Sequence, residues 1–391
     1  MTPAARVQAA IDLLDRIIAA AREQGAAADT IIARWFAERR YAGSKDRRAI
    51  RELVYDTIRL CGERPATGRA ALLALARERP DLAALFDGSA YGPAPIAEGE
   101  PVAEAGVAPA WLAEALAASA LDAAEQAALL DRAPLDIRIN RLKGLTTLIE
   151  GAEPIAFAPD ALRLPPDTPV ERLPAFAEGR IEVQDAGSQL VAMAAGAAPG
   201  MAVVDLCAGA GGKTLALAAA MENRGTILAC DVDRPRLSRL APRAERAGVT
   251  IAETRLLDPG RERERLTNWV EHADMVLVDA PCSGTGTWRR NPEARWRLTP
   301  ERVARYAQMQ RHVLGVAAEL VKPGGVLTYI VCSLLDAEGR GQVEWFLDTY
   351  PGWRVEPLAL GAGVPHGGGM RLTPAHDSTD GFFVARMVRP C

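Results

Sequence analysis

Asp279, Cys282 and Cys332 are the residues of this chain best suited to covalent chemistry. The first two stand in Asp279-Ala280-Pro281-Cys282-Ser283-Gly284-Thr285-Gly286, directly after the apolar run Met275-Val276-Leu277-Val278. That run reads as a buried strand, so it delivers a carboxylate and then a thiol into a glycine-rich loop. Further on, Val326-Leu327-Thr328-Tyr329-Ile330-Val331 reads as a second strand and ends in Cys332-Ser333. A thiol at a strand end, beside polar loop residues, is accessible; next to cationic groups its thiolate is a nucleophile. Cys61, Cys207 and Cys230 have the ordinary reading of a small core residue. Cys391 is terminal, and no role can be argued for its thiol.

A second feature lies upstream. Cys207-Ala208-Gly209-Ala210-Gly211-Gly212-Lys213-Thr214 closes the apolar run Ala202-Val203-Val204-Asp205-Leu206. Strand, glycine turn and helix in succession make a nucleotide-type site, where backbone N–H groups and the helix N-terminus favour negative ligand atoms. Gly209 to Lys213 is too short for G-x-x-x-x-G-K-[ST], which argues against a P-loop kinase. Asp231 ends the next strand, where an acidic side chain would hydrogen-bond a ribose diol. Asp258 follows the third strand and either contacts an adenine edge or caps the next helix. Ligands of open α/β sheets sit beyond the carboxyl ends of the strands, so the three loops are expected to face one crevice.

The elements that must hold these residues alternate over 184–391. Strands are expected near 202–206, 226–230, 249–256, 274–279 and 326–333, with helices between, and a last strand Phe382–Val388 follows a helix near 337–349. The pattern predicts an α/β fold with a parallel sheet covered on both faces. Residues 134–183 read as a small α+β unit: a half-buried strand at 134–140, a helix near 146–150, and a strand near 181–183. Residues 1–133 read as helical. Ile11, Leu14, Ile17 and Ile18 share one face, Ile31, Ile32, Trp35 and Phe36 another. Ser44 is a candidate N-cap for a helix through Ile50, Val54 and Ile58, surrounded by Arg34, Arg39, Arg40, Lys45, Arg47, Arg48 and Arg51. A run from 87 to 109, rich in Gly, Pro, Ala and Glu, reads as a linker or long loop.

The totals constrain the setting. With 391 residues the chain is long enough for two or three domains, and a net charge of −4 argues against a globally basic nucleic-acid binder while leaving local patches open. No apolar run approaches the roughly 20 residues that cross a bilayer, and the start lacks the pattern of a signal peptide. Six scattered cysteines fit reduced thiols rather than a disulfide framework, and no Cys/His cluster has zinc spacing. The expectation is a cytoplasmic monomer without metal.

Five stretches together resemble the Nop/Sun-type RNA cytosine-C5 methyltransferases: DAPCSGTG at 279–286, RRNPEARWR at 289–297, Cys332-Ser333 at a strand end, VQDAGSQ at 183–189 and DGFFVARM at 380–387. The resemblance covers 134–391. Before it, GSKDRRAIRELVYDTIR at 43–59 is similar to the helical domain, like the antitermination protein NusB, that bacterial ribosomal-RNA members carry. The resemblance implies a Rossmann-like S-adenosylmethionine-dependent methyltransferase sheet over 184–391, an RRM-like unit over 134–183 and a NusB-like RNA-binding domain over 1–133.

It also implies roles. Cys332 would be the nucleophile that adds to C6 of cytosine and makes C5 enamine-like. Asp279 would contact the N3/N4 edge of the flipped base. Cys282 would help break the enzyme–RNA adduct, and Lys213 would lie by the nucleophile. S-adenosyl-L-methionine would occupy Cys207, Ala208, Gly209, Ala210, Gly211, Gly212 and Lys213 together with Asp231, Asp258 and Asp279. Two departures stand out: the family's Ala-Ala-Pro-Gly-Gly-Lys-Thr is Ala208-Gly209-Ala210-Gly211-Gly212-Lys213-Thr214, and its Thr-Cys-Ser is Val331-Cys332-Ser333.

The partner implied is RNA, ribosomal rather than transfer RNA. Contacts are expected from Arg289, Arg290, Arg295 and Arg297, continued by Arg302, Arg305 and Arg311. A charged helix surface is the alternative, but adjacency to Cys282 favours phosphate binding. Trp288 and Trp296 are candidates for base stacking or for packing. The competing functions are a transfer-RNA methyltransferase, a non-catalytic RNA-binding assembly factor, whose only support is the altered glycine loop, and a nicotinamide dehydrogenase, which has no use for paired cysteines.

Overall fold

Apolar residues at helical spacing become four long helices near the start of the chain: Pro3–Glu23, Ala28–Glu38, Ser44–Leu60 and Gly68–Glu78. They belong to a computed structural model that describes residues 1–391. Leu14, Ile17, Ile32, Trp35, Phe36, Ile50, Val54 and Ile58 turn inward and form one core. Gly43 rather than Ser44 occupies the N-cap of the third helix; the Asp46 carboxylate accepts its N–H at 3.3 Å. The Pro/Gly-rich stretch carries neither helix nor strand, yet it is fastened down. Ala103 N–H donates to Ala70 O at 3.0 Å, Gly106 N–H to Leu60 O at 2.9 Å, and Arg69 Nη2 to Glu100 Oε2 at 3.0 Å.

This helical unit comprises Met1–Arg132 together with Thr287–Thr299. Residues 287–299 therefore fold with the helices, not with the sheet in whose sequence they lie. The cause is local. Trp296 is buried in the helical core, Glu293 Oε1 accepts the Ala28 N–H at 2.8 Å, and Arg295 is occupied by backbone carbonyls of the third helix.

The second unit comprises Ala133–Gly286 with Pro300–Cys391. Its first part is a four-stranded antiparallel sheet of β1 (Leu135–Ile139), β2 (Glu153–Ile155), β3 (Ala158–Leu164) and β4 (Ile181–Val183), in the order β2-β3-β1-β4. The helix expected at 146–150 is absent. Gly144 and Gly151, with φ of 63° and 71°, bracket a run of turns instead. Asn140 Nδ2 donates to Gly179 O and to Ala247 O, both at 2.8 Å, which ties the small sheet to a helix of the larger layer.

The larger sheet has nine strands: β5 (Ala202–Asp205), β6 (Thr226–Asp231), β7 (Ala252–Leu256), β8 (Ala273–Asp279), β9 (Val321–Val331), β10 (Arg354–Glu356), β11 (Val364–His366), β12 (Gly369–Leu372) and β13 (Phe382–Val388). The path is β11-β12-β13-β9-β8-β5-β6-β7, with β10 beside β13. The strands from β9 to β7 are parallel, and β13 lies antiparallel on β9. Val204, Val276 and Tyr329 face one core, Val203, Leu277 and Ile330 the other. Burial on both faces explains why the strands read as unbroken apolar runs. Chain order reverses between β5 and β8, the place where such sheets open a crevice. No helix is long and apolar enough to cross a membrane.

Candidate active site

Sheet register brings the two cysteines together. β8 and β9 are parallel neighbours with Asp279 opposite Ile330, and Ala280 N–H donates to Ile330 O at 2.9 Å, extending the pairing. Pro281 then turns one chain while β9 ends at Val331, and both thiols emerge at the same edge. The Cys282 and Cys332 Sγ atoms lie 3.4 Å apart, as free, partly exposed cysteines. The loops interlock: Gly286 N–H donates to Cys332 O at 3.0 Å, and Gly381 N–H to Gly286 O at 2.7 Å.

Lys213, in the first turn of the helix Gly212–Ala220, reaches the same edge. Its Nζ donates to Asp279 Oδ2 at 2.6 Å and lies 5.7 Å from the Phe382 ring centroid. Burial works against its charge, but the Asp279 carboxylate and the negative character of Cys332 outweigh it and hold the lysine pKa above its ordinary value. Cys282 is pushed well up, first by its hydrogen bond with Cys332, then by burial and by the Glu338 carboxylate. Cys282 is thus held as a thiol at neutral pH.

The glycine loop turns on its own glycines. Gly209 and Gly211 have φ of 54° and 85°, values that L side chains rarely adopt. Gly209 N–H donates to Asp231 Oδ2 at 2.7 Å. Arg243 Nη1 donates to Ala210 O at 2.6 Å while its Nη2 holds Glu182 Oε2 at 2.9 Å. Ala208 N–H donates to Cys230 O at 2.8 Å. A Cβ on Gly212 would meet nothing within 4 Å, so the loop opens onto free space there.

Two residues at this edge escaped the sequence reading. Asp205, the last residue of β5, is fully buried; its Oδ2 accepts the Thr214 hydroxyl at 2.6 Å, and its Oδ1 has no partner. Burial, with added repulsion from Asp279 and Asp231, pushes its pKa up to about 7. Val232, after Asp231, is a large apolar side chain left 47% exposed, an apolar floor suited to a flat ring. A strand-end Asp and an apolar residue after the ribose-type Asp were the available signals.

A cationic sulfonium ligand fits these residues: carboxylates at Asp231 and Asp279, an open glycine turn and the exposed Val232 face. Cys207, Ala208, Gly209, Ala210, Gly211, Gly212 and Lys213 lie along that turn. Asp258 stands further out, exposed and paired with Arg265 at 3.3 Å. No bond from its side chain to a helix N–H accompanies this pairing.

The arginines expected to touch RNA divide. Arg295 is 0% exposed. Its Nη2 donates to the carbonyls of Ile58 at 2.6 Å, Arg59 at 3.1 Å and Cys61 at 2.9 Å, and its Nη1 to that of Pro292. Arg289 is buried too, at 6%. Arg297 donates to Gly25 O at 2.9 Å and Ala26 O at 2.7 Å, near the end of the helix Pro3–Glu23. Arg295 and Arg289 are not surface contacts, and Arg297 serves its own unit; Arg290 alone of the four is exposed. Trp288 and Trp296 are buried, which removes base stacking. Helix C-terminal carbonyls attract a guanidinium as phosphates do, so the sequence pattern was the same for both.

The family model described as 16S rRNA methyltransferase RsmB/F matches residues 193–388. A curated relative from Synechocystis sp., described as "Probable ribosomal RNA small subunit methyltransferase B", is 39% identical over 276 residues, covering 65% of this chain and 60% of that protein. The chain thus spans 60% of that relative's length. The crystal structure of PH0851 matches with a TM-score of 0.76 and 26% identity over 99% of each chain. A methyltransferase homolog protein from Pyrococcus horikoshii matches at TM-score 0.58 and 28% identity, over 68% of this chain and 90% of that one.

Proposed function

Because the chain belongs to the RsmB/F family of 16S rRNA methyltransferases, we propose that it methylates C5 of a cytosine in 16S ribosomal RNA through a covalent Cys332–C6 adduct. The observation that carries this reading is the pair of thiols 3.4 Å apart beside the Lys213–Asp279 ion pair. A single nucleophile would need no such neighbour.

Cys332 attacks C6, and the electron pair of the C5–C6 double bond moves to make C5 nucleophilic. Asp279 holds the N3/N4 edge of the base, and the Lys213 ammonium beside it opposes the negative charge that develops on the ring. S-adenosylmethionine, when bound along 207–213 with Asp231 and Asp279, supplies the electrophilic methyl group. The proton on the methylated C5 then passes to solvent water, the C–H electron pair re-forms the C5–C6 double bond, and Cys332 leaves as a thiolate; the Cys282 thiol, 3.4 Å away, is placed to assist that release by donating to the departing sulfur. The arginine-rich surface of residues 1–132, with Arg290, is proposed to hold the RNA backbone. The setting proposed is the cytoplasm, with the protein acting as a monomer.

Purified protein with labelled S-adenosylmethionine and ribosomal RNA is expected to transfer methyl groups. Cys332→Ala should abolish transfer, and Cys282→Ala should accumulate a covalent RNA adduct that survives a denaturing gel. Full turnover by Cys332→Ala would overturn the nucleophile assignment. Bisulfite sequencing of RNA from a deletion strain and its parent identifies the cytosine.

A further inference from the structure

Glu338 lies beyond Cys332 at the entry to the helix Arg340–Thr349 and is fully buried. The reaction described above makes no use of it. Its Oε1 accepts the Ser283 N–H at 2.9 Å and Gln310 Nε2 at 3.1 Å. Its Oε2 accepts the Ser333 hydroxyl at 2.6 Å and also the Ser283 hydroxyl. Ser283 follows Cys282 and Ser333 follows Cys332, so one carboxylate grips the residue next to each thiol. Gln310 also donates to Pro281 O at 3.0 Å, and Tyr329 OH donates to Glu338 O at 2.6 Å. Thr285 Oγ1 lies 3.2 Å from Ser333 Oγ and accepts the Leu334 N–H at 2.8 Å, closing the network.

Burial pushes the Glu338 pKa above its ordinary value, and the bonds from Ser283, Ser333 and Gln310 oppose that push; two N–H donors on one oxygen and two hydroxyls on the other suit the ionised carboxylate, which only accepts. A buried charge is costly unless such bonds satisfy it; both Glu338 oxygens are paired, whereas Gln310 Oε1 at the edge of the network has no partner, and paired bonds of this kind fix geometry. The charged neighbours are otherwise spoken for. Lys213 is paired with Asp279 at 2.6 Å, and Asp336 with His366 at 2.5 Å and Arg340 at 3.3 Å.

We propose that Glu338 is a positioning residue for the two cysteines: it clamps Ser283 and Ser333 so that both thiols face one base, and its charge disfavours a thiolate at Cys282. The kinetic half of this rests on the cysteine mechanism proposed above; the effect on Cys282 does not. The repulsion that Glu338 exerts on a Cys282 thiolate agrees with it.

Glu338→Gln keeps the shape and removes the charge. In the full chain, its kcat for RNA methylation is expected to fall about tenfold to a hundredfold, with KM for RNA and S-adenosylmethionine near wild type, as for lost transition-state geometry. Iodoacetamide labelling, resolved by peptide mass from about pH 6 to about pH 10 across the ordinary thiol range, reads ionisation of Cys282 directly. Wild-type Cys282 should label only toward the upper end of that range, and in Glu338→Gln its labelling should begin at lower pH. Ser283→Ala, which loses part of the clamp but keeps the charge, should lower kcat while leaving the Cys282 labelling profile intact. A wild-type Cys282 labelling profile in a folded Glu338→Gln protein overturns the electrostatic role. Wild-type kcat in Ser283→Ala overturns the clamp. If the unmodified protein methylates no cytosine, the proposed reaction fails while the labelling still decides what Glu338 does to Cys282.

Discussion

Replacing Arg295 with Met tests whether an arginine in the family's basic motif supports the fold rather than the RNA. The substitution removes a guanidinium that is 0% exposed and held by the carbonyls of Ile58, Arg59 and Cys61. Cys61 O keeps a donor, because Trp296 Nε1 reaches it at 3.1 Å. The Ile58, Arg59 and Pro292 carbonyls lose theirs, at roughly 1–3 kcal/mol for each buried acceptor left unpaired. Burial of the charge, which pushes the Arg295 pKa down to about 9, opposes this. The net loss therefore belongs at the low end, about 2 kcal/mol. At about 1.4 kcal/mol per factor of ten, amide hydrogen exchange in the helix Ser44–Leu60 should accelerate about thirtyfold. RNA affinity measured against salt should keep its slope, whereas a lost phosphate contact lowers that slope by roughly 0.7–0.9. Unchanged exchange together with a shallower salt slope would refute the burial argument.

Asp205→Asn should change how stability depends on pH. The buried Asp205 carboxyl has a pKa raised to about 7 from 3.8, so it binds its proton more tightly folded than unfolded. That contribution is complete below about pH 4 and is lost as pH rises through about 7. Thermal melts should show the Asn variant gaining on wild type from about pH 4 to about pH 8, the ceiling being about 4 kcal/mol at 1.36 kcal/mol per pH unit; a constant difference would count against it. Gly286→Ala tests the interlocked loops, since a Cβ there would lie 2.1 Å from Gly381 O. Moving that backbone pulls on the Gly286–Cys332 bond, so methyl transfer should fall about a hundredfold, as for a misplacement near 1 Å. Wild-type transfer by a folded variant would show the loop to be more compliant than its packing.

The sequence by itself determined the sheet and which side chains stand at its edge. Val276 and Leu327 lie in strands buried on both faces, and such strands must be apolar throughout. The residue after each strand end, whether Cys332 or the Asp279–Cys282 loop, is then placed by chain connectivity. The glycine loop was legible for the same reason, because a left-handed φ at Gly211 is a local demand. Only the tertiary structure decided what the charged side chains meet. Arg295 reads like an RNA contact until the carbonyl end of a helix far away in sequence folds over it. Asp205 and Glu338 read like ordinary acids until burial and distant hydroxyls set their protonation. The physical reason is that a hydrogen-bonded turn or a buried strand is specified by neighbouring residues, whereas the free energy of a charge depends on whichever groups the fold brings within a few ångströms of it.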